Sequence, residues 1–242
     1  MYEVNKFFNS FLPKNANVRA TLDWCFIHLS WMLNGKLTGV VGISTDTTTS
    51  MFCKLNHALY SVCKTCYSFA SLENGVHKKT IKKSLLPNEA LRLFELQGQP
   101  PALLGRRLAR INVHGDIENE VHWKNILNLV LANPKTQFSL FTKNAKLFGA
   151  VFKIYVKPDN LTMVYSVPAL NAVDTKKPYW ADKVFVVIEK GLEGVEPNCE
   201  EKLCAECEMC FHQGGESRII EVQRTGKTGH NRSFKGIKVI PS

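Results

Sequence analysis

Along this chain the apolar positions switch between helical and strand spacing. Leu22, Cys25, Phe26, Leu29 and Leu33 recur at helical intervals, and Asn34-Gly35 is a stop signal, so a helix is predicted there. Cys25 lies on its apolar face and reads as a small core residue rather than a ligand. Residues 39–43 read as a short strand. Residues 44–50 are polar and dense in Thr, a loop leading to the first clustered cysteines. A helix is predicted over 88–97, ended by Gly98, with Pro100-Pro101 forcing extended chain after it.

The middle of the chain carries the clearest pattern. Residues 108–113 form a strand candidate, and His114-Gly115-Asp116 a turn. Trp123, Ile126, Leu127 and Val130 then follow the i, i+3, i+4, i+7 rule for a helix that Asn133-Pro134 ends. Residues 137–142 are a second strand. This is one β-α-β unit, with parallel strands and a right-handed crossover expected. Residues 164–167 and 184–188 read as further strands, the latter apolar throughout, and 219–222 as one more. The alternation predicts an α/β fold, either a partial barrel or an open parallel sheet. A small Cys-rich metal-binding subdomain is expected from Pro197 onward, dividing the chain into a core over 1–196 and a subdomain with a basic tail over 197–242.

Length and composition allow a substantial core: 242 residues, 45% of them hydrophobic. No apolar run approaches the roughly 20 residues that span a bilayer. Residues 1–14 lack the apolar stretch and cleavage site of a signal peptide. The expectation is a cytoplasmic protein without a membrane partner. Lys and Arg outnumber Asp and Glu by 31 to 21, a net charge of +10. Lys78, Lys79, Lys82 and Lys83 form one cluster, and Arg224, Lys227, Arg232, Lys235 and Lys238 a second. Such an excess suits nucleic acid; a solvated basic surface is the alternative.

The eight cysteines change the picture most. In a reducing compartment, clustered cysteines serve as metal ligands more often than as disulfides. Cys53, Cys63 and Cys66 form one group; Cys199, Cys204, Cys207 and Cys210 form another. Three thiolates suit a four-iron (4Fe-4S) cluster with one iron left open, or a zinc completed by His57 or His77. Four thiolates within twelve residues suit a closed site, zinc or a second cluster, beside His212. A cross-paired zinc ribbon of Cys63, Cys66, Cys207 and Cys210 is a further arrangement.

Candidate chemistry also collects at the strand ends, where ligands of α/β folds gather. His114 and Asp116 follow the first strand of the β-α-β unit and Lys143 the second; these are the candidate catalytic residues. Asn112, Gly115 and Ser166 are candidates to contact a cofactor. Helix capping by Asp116 or Asn119 is the structural alternative. Gly226-Lys227-Thr228 lacks the upstream glycine of a phosphate-binding loop and receives no nucleotide role.

These residues resemble a known family. Cys53…Cys63-x2-Cys66-Tyr67, then Arg110-Ile111-Asn112-Val113-His114-Gly115-Asp116, Trp123, Pro134, Phe138, Phe141-Thr142-Lys143, Tyr165-Ser166-Val167-Pro168 and Cys204-x2-Cys207-x2-Cys210 are similar in order to the motifs of the phage gene-product eighty-eight family, over roughly residues 40–222. That family is largely uncharacterised. Its architecture is similar to that of radical S-adenosylmethionine enzymes. The resemblance implies a cluster on Cys53, Cys63 and Cys66, a methionine-binding counterpart at Gly115-Asp116, and S-adenosylmethionine as co-substrate in radical or redox chemistry. The competing expectations are a zinc-stabilised nucleic-acid-binding module and a non-catalytic protein that binds a host protein.

Overall fold

The computed structural model describes Trp24 and residues 27–30, 35–199 and 202–223. Cys25, most of the helix expected around it, residues 1–14, the basic cluster from Arg224 to Lys238 and Gly226-Lys227-Thr228 lie outside these residues. Within the span of that expected helix, residues 27–30 are extended instead. Ser30 exchanges two 2.9 Å backbone hydrogen bonds with Gly42. Ile27 and Leu29 are buried while His28 is exposed, the two-residue period of an edge strand.

Six strands hydrogen-bond in chain order, every neighbour parallel. They are β1 (Val41–Ile43), β2 (Leu108–Ile111), β3 (Gln137–Thr142), β4 (Leu161–Ser166), β5 (Lys183–Ile188) and β6 (Arg218–Val222). Between them run α1 (Met51–Leu59), α2 (Ser61–Lys64), α3 (Tyr67–Asn74), α4 (Lys78–Leu85), α5 (Ala90–Leu93), α6 (Glu120–Leu131), α7 (Ala145–Val151) and α8 (Cys204–Cys207). The expected α/β class holds, and the sheet is open: β1 and β6 do not pair. The expected boundary at 196/197 does not interrupt the sheet, because β6 is its sixth strand.

Sequential parallel strands with right-handed crossovers place successive helices on one face. Trp123, Ile126, Leu129 and Val130 of α6 and Phe148 and Val151 of α7 accordingly join one buried cluster with Val41, Ile43, Ala109, Ile111, Phe138, Leu140, Leu161 and Met163. Toward β5 and β6 loops replace helices, and Ala172, Val173, Leu192 and Val195 cover the sheet there. The alternate residues face the other way. That inner face is covered by the segment after β5: Phe211 packs on Val40 and Leu108, and Cys199, Met209 and Cys210 on Phe141, Val164 and Ile219. Burying Phe211 contributes roughly 1.5–3 kcal/mol to this seal.

The sheet curls. Lys36, on a 3-10 turn just before β1, forms a 3.0 Å ion pair with Glu221 on β6. Five inter-strand steps of about 4.8 Å would separate the edges of a flat sheet by about 24 Å. Two tight turns lie between Lys36 and β1, Thr38 N–H to Gly35 O and Val40 N–H to Leu37 O, so the chain does not extend far enough to bridge a flat sheet.

The helix expected over 88–97 is cut short. A 3-10 turn (Leu86–Glu89) leads into α5, and Phe94 is already extended. The side chain of Asn125 on α6 explains the stop. Its amide donates to Leu91 O and Phe94 O, and its oxygen accepts from Leu96 N–H, taking over backbone groups that a longer helix would pair internally.

His122 of α6 is fully buried, its Nδ1 has no partner, and burial together with the Arg92 charge lowers its pKa to about 3. In the unfolded chain it titrates near about 6.5. Between these values the unfolded state holds more protons. The stability contribution is therefore complete above about pH 6.5 and is lost as pH falls toward about 3, by at most about 1.4 kcal/mol per pH unit. Urea denaturation across that window is expected to show the decline, and His122→Phe to flatten it; an unchanged slope in the variant would refute the assignment.

Candidate functional site

The early cysteines stand at the carboxyl ends of the parallel strands. Cys53 lies in the first turn of α1, where Ser50 caps the helix by accepting from Cys53 N–H at 3.2 Å. Cys63 is buried in α2. Cys66 precedes α3, and its N–H donates to Cys63 O at 3.1 Å, closing one turn between the two. The gap of nine residues between Cys53 and Cys63 is filled by α1 and the start of α2. Glu118 sets the direction of α1 by accepting from Met51 N–H (2.8 Å) and Phe52 N–H (3.3 Å), an anion at a helix N-terminus. Arg92 holds Glu118 at 2.7 Å and also pairs with the fully buried Glu89. Glu89 in turn accepts from Asp46 N–H and Thr49 Oγ1, which fixes the Thr-rich loop.

Asp116 ties the strand ends together. It is buried and accepts from Thr142 Oγ1 (2.6 Å), Lys143 N–H (2.9 Å) and Ile117 N–H (2.7 Å). Burial pushes its carboxyl up, against Lys143 and these three hydrogen bonds. Every partner is a donor, which suits the ionised form. Burial pulls the Lys143 ammonium down, but Cys63, Asp116, Cys66 and Cys53 together hold it above the ordinary lysine range. Lys143, Asp116 and the three early thiols are thus one electrostatic group. Burial also pushes Cys53 up and Cys63 up to about 11, so both are neutral thiols near pH 7.

His114 and Gly115 serve the loop packing. Gly115 N–H donates to Thr47 Oγ1 at 2.8 Å; Thr47 Oγ1 is in short contact with Ser68 Oγ, which lies 2.7 Å from His114 Nδ1. Burial lowers the His114 pKa. Asn112 has φ 64°, and its amide donates to Phe141 O at 2.8 Å, locking the end of β2 to β3. Ser166 is buried at the end of β4, in register with Phe185. The ring of His57 lies 4.3 Å from that of Phe69, and His77 is exposed before α4. Glu89, Arg92 and Glu118 escaped sequence reasoning, because only the tertiary fold shows that they face the loop.

The late cysteines lie on the inner face toward the opposite strand ends. Arg107, just before β2, donates to Ala205 O, and Lys183, the first residue of β5, to Gly214 O and Glu216 O. Cys199, Cys204, Cys207 and Cys210 line one pocket with Lys36 and Glu208. Lys36 Nζ donates to Cys199 Sγ at 3.1 Å and to its carbonyl at 2.8 Å. Burial pushes Cys210 up to about 12. Glu208 takes a left-handed φ of 50° between Cys207 and Cys210. His212 is exposed and 2.8 Å from Glu208. The cross-paired set is not assembled: Cys207 and Cys210 share their pocket with Cys199 and Cys204, whereas Cys63 and Cys66 stand beside Lys143 and Asp116. All seven described cysteines are free thiols, and among the described residues no three Cys, His, Asp or Glu side chains converge as placed into a metal-holding group.

The model of the Gene product 88 family matches residues 31–194, more than half of the chain. The chain belongs to the Gene product 88 family. The matched segment holds the early cysteines and the strand-end residues and stops before Cys199, short of the late group expected to share the likeness. No curated protein matches, and no solved structure matches. The comparisons therefore lend no support to a likeness with radical S-adenosylmethionine proteins. Among the described residues of this Gene product 88 protein, no helix is long and apolar enough to cross a membrane.

Gly115 has φ 78°, and an added Cβ would press on Thr45 Oγ1 and lie 2.9 Å from Thr45 O. Gly115→Ala is expected to cost about 1–3 kcal/mol of stability, read by urea denaturation. A cost within about 0.5 kcal/mol of zero would show that the loop 44–50 and the strand-end turn yield freely.

Proposed function

We propose that this Gene product 88 protein is a thiol-ligated metalloprotein. Cys53, Cys63 and Cys66 hold an iron–sulfur cluster at the carboxyl ends of the strands, and Cys199, Cys204, Cys207 and Cys210 hold a second metal. What supports this reading is that Cys53, Cys63 and Cys66 are carried by α1, α2 and the start of α3, on the same side of the sheet's strand ends as Lys143 and the buried Asp116. The donor set fits: thiolates are the soft ligands such clusters take, and three of them leave one position for a small molecule. Because the sulfurs do not converge as placed, binding has to draw them in and displace their protons. When bound, a cluster supplies one-electron chemistry and an open iron.

The protein's own residues supply orientation and charge. Lys143 places a cation beside the thiols, favouring added negative charge there. Asp116 holds the Lys143 backbone in place. His114 keeps Nδ1 engaged by Ser68 and leaves Nε2 for proton exchange.

Anaerobic purification followed by iron, sulfide and zinc analysis tests the reading. Bound iron and sulfide with visible charge-transfer absorption are expected, and Cys63→Ser should lose most of the iron assigned to the early site. Zinc alone, or no metal, would end the proposal. Equilibrium dialysis of S-adenosylmethionine on the same preparation tests that co-substrate separately.

A zinc-stabilised nucleic-acid-binding protein is the second reading, favoured by the exposure of Lys78, Lys79 and Lys83 along α4. It predicts single-stranded nucleic-acid affinity that falls steeply with salt and weakens on Lys79→Glu.

A further inference from the structure

α1 reverses the usual amphipathic arrangement. A surface helix ordinarily turns its apolar stripe to the core and its polar side to water. The only buried residue of α1 is polar: Asn56. Cys53, one turn before Asn56, and His57, whose ring packs on Phe69, share that inward side. The aliphatic side chains lie opposite. Met51, Leu55 and Leu59 recur at every fourth residue and so form one stripe along the helix, with 57%, 55% and 57% of their surfaces accessible. Tyr60, the residue after Leu59, is exposed as well. A nine-residue helix that buries none of its aliphatic side chains, and aligns three of them toward water, presents an apolar face without a cover.

The charge bordering this stripe is of one sign. No Asp or Glu occurs between Asp46 and Glu73, whereas Lys54 and Lys64 are exposed. Among the described residues neither lysine forms an ion pair. Lys54 precedes Leu55 on the helix and borders the stripe. Glu118, the carboxylate at the N-terminus of α1, is taken up by the Met51 and Phe52 N–H groups and by Arg92. The side chain of Gln223 donates to Thr65 Oγ1 at 2.7 Å, so the last described residue lies beside Lys64. The sequence that follows adds Arg224, Lys227, Arg232, Lys235 and Lys238 and no carboxylate.

These features select the occupant. A second copy of the chain would set lysines against lysines, with no acid over 47–72 to pair them. Nucleic acid would satisfy the lysines, but its bases stack on aromatic rings and guanidinium groups, and a row of aliphatic side chains offers neither. A protein helix with apolar residues along one face and carboxylates at its borders matches both the stripe and the charge.

We infer that the outer face of α1 docks an acidic amphipathic helix of another protein, whose apolar residues pack on Met51, Leu55 and Leu59 and whose carboxylates meet Lys54 in the positive field of Lys64. The face lies on the side of α1 away from Asn56 and Cys53, and it goes beyond the metalloprotein reading.

The test is fluorescence anisotropy of a labelled synthetic helical peptide, with Leu three and four residues apart on one face and Glu on its flanks, titrated with the purified full chain. Metal content is measured on every sample. Saturable binding is expected. Leu55→Asp should weaken it by about tenfold or more, and Lys54→Glu by less. Leu131→Asp, at a similarly exposed leucine that ends α6, should leave it unchanged. No binding to the wild type overturns the site, as does wild-type affinity in Leu55→Asp. Equal binding of a peptide with Ser in place of Leu also overturns it, because charge alone then accounts for the attraction. Other occupants have their own readouts, each overturning the inference. One is a single-stranded oligonucleotide, or phosphatidylglycerol vesicles, binding through Leu55 where the peptide does not. Another is a dimer in analytical ultracentrifugation that Leu55→Asp dissociates. A metal-free wild type that binds the peptide through Leu55 sustains the docking face while ending the metalloprotein reading. If circular dichroism shows that Leu55→Asp does not fold, Leu59→Gln, which keeps helix propensity and adds no charge, decides by the same criteria.

Discussion

Parallel hydrogen bonding of six strands in strict chain order is the constraint from which the rest follows. Crossovers of one hand put α6 and α7 on one face and leave the other to the segment after β5, whose only helix among the described residues is the four-residue α8. That second face still carries Leu108, Phe141, Val164 and Ile219, and these need a cover. The chain after β5 supplies it by laying Phe211, Met209 and Cys210 against the sheet before returning as β6. The Cys-rich segment is therefore bound into the sheet's core as well as being a candidate ligand set. Its removal would expose apolar surface and take away the sixth strand.

The same constraint gives the strand ends their density of polar contacts. At the carboxyl end of each parallel strand the chain must turn toward a helix, and its backbone groups there lack ladder partners. Asp116, Asn112, Thr47 and Ser44 meet that need, and Gly115 lets two loops approach closely enough for them to do so. The early cysteines are placed by this network at one remove, because α1 takes its direction from Glu118 and the Thr-rich loop from Glu89. Arg92 joins these two carboxylates. Two elements distant in sequence are thereby fixed to one another around the thiols.

Charge is distributed accordingly. The basic excess of the whole chain is a poor guide to the interior, where each cation has a different environment. Lys36 bridges Glu221 and Cys199, Lys143 sits among three thiols and Asp116, Lys183 binds two carbonyls, and Arg110 stacks on Phe141. Two of these cations stand beside sulfur, which gives both cysteine groups positive neighbours where thiolate charge would develop.

The sequence by itself determined the class of fold, the position of β3 to the residue, the helix begun by Asn119, and membership of the Gene product 88 family. All of these rest on local periodicity, on turn residues or on short motifs in a fixed order, which are readable one segment at a time. It misread residues 27–30 and 88–97, where Gly42 and Asn125 from distant segments claim the backbone. It left α1 to α4, α7 and α8 undrawn; these are helices of four to nine residues, too short for the apolar spacing to repeat clearly. Spacing showed that Cys63-x2-Cys66 and Cys204-x2-Cys207 belong together. Only the tertiary structure decided that Cys199 shares a pocket with the latter pair and that Lys143 and Asp116 stand beside the former. Those are contacts between segments distant in sequence, and a linear pattern carries no record of which of them the fold brings together.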